Sequence, residues 1–160
     1  MKFTKMHGAG NDYIYVNCMD CNIEDPSSLA VKLSDRHIGI GSDGLVLIQP
    51  SKNADFYMRM FNADGSEGSM CGNAIRCVAK YVYDNKLTDK LNLDIETKSG
   101  IKHLKLFLDK EGLVDSAEVD MGIAYLKRCE IPMAYDDSSK EEMYINKPLY
   151  VSGKRYNVTC

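Results

Sequence analysis

Between Ala74 and Tyr83 the only polar residues are Arg76 and Lys80, and Asp84 extends their i, i+4 line. Everything else in that stretch is apolar: Ala74, Ile75, Cys77, Val78, Ala79, Tyr81, Val82 and Tyr83. A surface helix buries one stripe, so a helix this apolar has to be enclosed by other structure on most sides. The neighbours available to enclose it are strands. Leu91 to Thr97 alternates, Ile101 to Leu108 follows a Lys98-Ser99-Gly100 turn, and Val114 to Met121 follows Asp109-Lys110-Glu111-Gly112. The expected fold class is therefore α+β, a mostly antiparallel, curled sheet or barrel wrapped around a central helix.

The remaining segments are consistent with this. Lys2 to His7, a turn at Gly8-Ala9-Gly10-Asn11-Asp12, and Tyr13 to Val16 predict an opening hairpin. Asp25 before Pro26, with Leu29, Ala30 and Leu33 at helical spacing, predicts a capped helix running to about Asp35. Gly39, Gly41 and Gly44 punctuate a loop, after which Leu45 to Ile48 and Phe56 to Phe61 read as strands. Residues 127 to 142, with Pro132 and Asp136-Asp137-Ser138-Ser139, read as an irregular connector. A last hairpin spans Lys147 to Val151 and Lys154 to Val158 around Ser152-Gly153.

The enclosed helix begins just after Cys71, at the end of a glycine-rich turn. The first amides of a helix lack intrahelical acceptors and carry the positive end of its dipole, so they favour an anion beside them. A thiolate at Cys71 and a ligand carboxylate on the amides of Gly72, Asn73 and Ala74 both suit that position. Covalent attack by the sulfur would call for a histidine partner, and His103 reads as a solvated mid-strand residue. Proton transfer at carbon would need only a second acid on the opposite face and a tightly held substrate. The residues by themselves leave both chemistries open, beside a purely structural strand-to-helix turn.

Other classes of function find less support. In 160 residues the net charge is -3, with no cluster of Lys or Arg, so no nucleic-acid footprint is present. No apolar run approaches a membrane span, and a cytoplasmic protein is expected. Six cysteines without a secretory signal read as free thiols. Cys18-Met19-Asp20-Cys21 has the spacing of half a zinc set, but no second half follows, and no metal is expected. Cys77 falls in the apolar set and reads as a small core residue.

Three blocks then point to a family. Met6-His7-Gly8-Ala9-Gly10-Asn11-Asp12-Tyr13, then Arg36-His37-Ile38-Gly39-Ile40-Gly41-Ser42-Asp43-Gly44, then Phe61 to Glu67 with Cys71-Gly72-Asn73-Ala74-Ile75-Arg76-Cys77, closely resemble diaminopimelate epimerases over about the first 120 residues. The resemblance implies a cofactor-independent isomerase that interconverts LL- and meso-diaminopimelate in lysine and peptidoglycan biosynthesis. Two cysteines work there across the substrate, one as thiolate base and one as thiol acid. It carries the first role to Cys71 and substrate binding to Asn11, Asn62, Gly72, Asn73 and Gly44, the last through backbone only. Cys129 and Cys160 lack the surroundings of the second cysteine. The expected domains are 1–116, carrying Cys71, and 117–160, the start of an incomplete second domain. These residues alone are accordingly expected to be inactive, and the full-length enzyme to be a homodimer. A sister amino-acid racemase and a non-catalytic binding half-enzyme are the alternatives, and Asn73 stands where proline racemase-like enzymes typically show histidine.

Overall fold

The first β-hairpin turns at Ala9 and Gly10, both at positive φ (53° and 84°), which suits a two-residue turn matched to the twist of its strands. It joins β1 (Thr4–Gly8) to β2 (Asn11–Asn17), with Gly8 opposite Asn11. The computed structural model describes residues 1–131 and 133–160, so Pro132 lies outside the described residues. They form two compact units, Met1–Met121 and Gly122–Cys160.

In the first unit, β3 (Gly44–Gln49), β4 (Phe56–Asn62), the two-residue β5 (Glu67–Gly68), β6 (Asn92–Thr97), β7 (Gly100–Leu108) and β8 (Val114–Val119) complete one sheet. Its order is β1-β2-β3-β4-β6-β7-β8, with β5 added beside β4. Most pairings are antiparallel, as expected, but β2–β3 and β4–β6 are parallel. The reason lies in the connections. Each of those pairs is joined through a helix, α1 (Pro26–Ser34) and α2 (Gly72–Asp84), and a helical crossover returns the chain in the same direction.

The two helices cover opposite faces. Tyr13, Tyr15, Val46, Ile48, Met58, Met60, Leu93, Ile95, Leu104 and Leu106 point to one side and pack with Ala74, Ile75, Val78, Ala79 and Val82 of α2. Ile14, Val16, Leu45, Leu47 and Phe61 point to the other and pack with Ala30 of α1. The unbroken apolar run Leu45 to Ile48 follows from this, since β3 is buried on both faces. Asp25 caps α1 by accepting from the Ser28 amide at 3.0 Å. No residue of α2 is exposed, which agrees with an enclosed helix.

The polar line of α2 works at the rim of this enclosure. Lys80 Nζ donates to the Val114 carbonyl at 2.5 Å, and Asp84 accepts from the Val114 amide at 3.0 Å while pairing with Lys80 at 2.8 Å. Both peptide groups of the first residue of β8 are thereby tied to the helix.

The second unit contains a 3-10 turn at Arg128–Glu130 and a hairpin of β9 (Lys147–Val151) and β10 (Lys154–Val158), paired antiparallel around Ser152 and Gly153. Between them the described residues are irregular, apart from a single bridge between Lys127 and Met143.

Candidate active site

Register brings four chain ends to one place. Tyr13 pairs with Gly44 in parallel and Gly44 with Asn62 in antiparallel, so the starts of β2 and β3 lie beside the end of β4. The Ala63 amide bonds the Asp43 carbonyl at 3.0 Å and closes that edge. The start of α2 reaches the same edge, because a Cβ on Gly8 would lie 2.9 Å from the Asn73 carbonyl oxygen. Only glycine lets the first hairpin approach the helix so closely.

Cys71 is the N-cap of α2, with extended backbone (φ -141°, ψ 117°). Its carbonyl accepts the first helical hydrogen bond, from the Ile75 amide at 3.0 Å, so the amides of Gly72, Asn73 and Ala74 precede the helical ladder. The thiol makes no cap bond to them. It donates instead to Asn11 Oδ1 at 3.5 Å, across 60 residues of sequence. Tyr13, 4% exposed, places its phenol against Asn11 and Cys71; burial first, then the adjacent Cys71, push that phenol up, and it stays a neutral donor.

The neighbouring polar groups hold one another. Asn11 Nδ2 donates to Asp43 Oδ2 at 2.7 Å, and the Asp12 amide donates to the same oxygen at 3.1 Å. Arg36 bridges Asp12 at 2.7 Å and Asp43 at 2.9 Å, and Lys5 adds a contact to Asp12 at 3.1 Å. The Arg36 hydrogen bond, more than any other contact, holds the Asp12 carboxyl well below the usual carboxylate range. On the helix, Arg76 donates to Asn73 Oδ1 at 2.5 Å and to the Gly72 carbonyl at 3.1 Å.

Of the residues singled out from sequence, Asn11, Asn62, Cys71, Gly72 and Asn73 are all half-buried. A direct bond joins Asn11 to Cys71, while Asn62 donates to Ser66 Oγ at 2.9 Å within its own turn. Gly44 is buried: its amide bonds Ser42 Oγ at 3.3 Å and its carbonyl accepts from the same hydroxyl at 2.9 Å. Tyr13, Arg36 and Asp43 received no role from the sequence although they lie inside its motif blocks. Their pairing spans up to 32 residues and has no local signature.

His103 is 66% exposed and paired with Asp94 at 2.6 Å, in line with a solvated residue. It lines a wide cleft of about 700 Å³ with Lys52, Asp55, Lys90, Asp94 and Glu118. That cleft does not include Cys71, and Lys90 within it is already paired with Asp55 at 2.5 Å. Cys77 is buried in the core around α2, as expected. Cys18 is buried and Cys21 exposed, and burial, ahead of the contact with Cys21, pushes the Cys18 thiol up to about 12. Among the described residues no helix is long and apolar enough to cross a membrane.

A family model described as Diaminopimelate epimerase matches residues 3–127. The chain belongs to the diaminopimelate epimerase family. All of it aligns at 55% identity with the diaminopimelate epimerase of Acetivibrio thermocellus, covering 55% of that protein. With the diaminopimelate epimerase of Methanococcus maripaludis the identity is 54%, again over the whole chain and 56% of the relative. The chain thus spans about half the length of the curated relatives it matches. Among solved structures, a methylitaconate-delta-isomerase superposes with a TM-score of 0.58 at 14% identity, over 69% of this chain and 35% of that one. A probable proline racemase from Agrobacterium radiobacter gives 0.55 at 13% identity, over 78% of this chain and 43% of that one. These two share the epimerase family's fold and carry no more than the fold.

Proposed function

We propose that these residues form the half of a diaminopimelate epimerase that holds one of its two proton-transferring thiols. The observation that supports this most directly is Cys71 at the mouth of α2, bonded to Asn11 and adjacent to amides without helical acceptors. The substrate α-carboxylate lies on the amides of Gly72, Asn73 and Ala74, where backbone donors and the helix dipole favour an anion. Asn11 and Asn62 contact the substrate from the sheet, and Gly44 shapes the floor beneath them. The Cys71 thiolate removes the α-proton, and the same donors stabilise the negative charge that develops at the α-carbon and its carboxylate. A second thiol, outside these 160 residues, returns a proton to the opposite face, and the roles exchange in the reverse direction. Thiol and thiol carry the proton both ways, so the step needs no cofactor.

One face of acid-base machinery gives exchange without inversion. In D2O, the 160-residue chain is expected to wash deuterium into the α-position of LL-diaminopimelate with retention, and Cys71→Ala to abolish it. Full epimerisation by this chain, lost on Cys71→Ala, would overturn the assignment of half the chemistry. The absence of both exchange and diaminopimelate binding would overturn the epimerase reading itself.

A further inference from the structure

We infer that Asp43 is a positioning residue that fixes the Asn11 amide with its oxygen towards Cys71, so that Asn11 offers the sulfur an acceptor and no donor. The argument is one of hydrogen-bond polarity. A carboxylate only accepts, and Asp43 Oδ2 already takes the Asp12 amide at 3.1 Å, so the Asn11 atom 2.7 Å from it has to be Nδ2. The other end of that planar amide is then Oδ1, and it lies 3.5 Å from Cys71 Sγ. Arg36 keeps the Asp43 carboxylate in place by binding its other oxygen at 2.9 Å and anchoring to Asp12 at 2.7 Å. The chain of constraint runs Arg36, Asp43, Asn11, Cys71.

This has a consequence for the thiol. An S–H can use Asn11 Oδ1 as its acceptor, and a thiolate cannot. The phenol of Tyr13, a neutral donor, also lies against the sulfur, and the first amides of α2 follow it in the chain without bonding it. Asn11 therefore opposes the helix start, and the opposition ends when another donor takes Oδ1. A substrate α-ammonium is such a donor. Its arrival would release the S–H bond while its carboxylate settles on the α2 amides, coupling substrate binding to exposure of the reactive sulfur. That consequence rests on the reading of Cys71 as the proton-transferring thiol; the polarity of the Asn11 amide does not.

The test is the alkylation rate of Cys71 by iodoacetamide in the ligand-free chain, followed by peptide mass spectrometry so that the other five cysteines do not interfere. In Asp43→Ala the Asn11 amide is free to turn and donate to the sulfur, and alkylation at neutral pH is expected to rise about tenfold. In an Asn11→Ala background, Asp43→Ala is expected to add nothing, because there is no amide left to turn. No acceleration in Asp43→Ala, or an undiminished effect of Asp43→Ala without Asn11, would overturn the proposal. If Asp43→Ala does not fold, the wild-type chain suffices. One proton of its Asn11 side-chain NH2 should lie well downfield of its place in an unbonded Asn amide and exchange slowly with solvent, and ordinary shifts with fast exchange would overturn the lock. Deuterium exchange at the substrate is scored separately, so a failed epimerase reading leaves these arms intact.

Discussion

Gly44 offers the sharpest separation of packing from catalysis. A Cβ added there would lie 2.0 Å from the Phe61 carbonyl oxygen and 2.8 Å from Cε1 of Tyr13. Neither neighbour is a flexible side-chain tip: one is the backbone of β4 and the other a ring 4% exposed in the core. To restore ordinary contact, β3 and β4 would have to part by roughly 1 Å at the Gly44–Asn62 pair, in a core packed to crystal-like density. Overpacking typically costs about 1–3 kcal/mol, and a clash with backbone on one side and a buried ring on the other puts Gly44→Ala near the top, about 3 kcal/mol. With a urea slope of about 2 kcal/mol/M, the unfolding midpoint should fall by about 1.5 M at unchanged slope. Gly10→Ala is the control. Gly10 has φ +84° and nothing within 4 Å of its added Cβ, so that variant carries conformational strain alone, about 1–2 kcal/mol. If Gly44→Ala costs no more than Gly10→Ala, the packing argument is wrong and Gly44 has to be explained by ligand contact.

Three further outcomes follow from particular contacts. Asp84→Ala removes the acceptor of the Val114 amide and the partner of Lys80; a loss of about 1–2 kcal/mol with faster amide exchange at Val114 is expected, and unchanged exchange there would contradict the tie between α2 and β8. Asp12 is depressed in the folded state, chiefly by Arg36, so its contribution is present above the ordinary value of 3.8 and is lost as the pH falls below it. Asp12→Asn should therefore be about 1 kcal/mol less stable than wild type near neutrality, a figure discounted because Arg36 is 54% exposed, and the gap should close in melts taken at decreasing pH below about 4. A gap that widens in acid would refute the sign. Native thiol labelling at about pH 7.5 should reach exposed Cys21 well before Cys18 and Cys77, whose thiols burial pushes up, and urea should erase the order. Equal native rates would refute the burial assignment.

Much of the architecture is legible locally. Asp25-Pro26 marks the start of α1, the turn glycines mark the hairpins, and the apolar circumference of Ala74 to Tyr83 demands an enclosed helix. The parallel pairings β2–β3 and β4–β6 are not legible in that way, because strand direction depends on how a crossover packs rather than on residues within either strand. In the site, Cys71 is recognisable from its place between a glycine-rich turn and a helix. Arg36 and Asp43 are visible only as members of a motif, since the amide that they govern lies 32 residues from Asp43.

By itself the sequence determined the enclosed helix and the cysteine at its N-terminus, which depend on residues close together in the chain, and the family resemblance, which depends on the order and spacing of three short blocks. Only the tertiary structure decided what Lys80 and Asp84 in the polar line of that helix are for: they hold Val114, 34 and 30 residues further on. It also decided the polarity of Asn11 towards the thiol. Hydrogen bonds have direction and short reach, and partners brought together from distant parts of the chain leave no periodic trace in it.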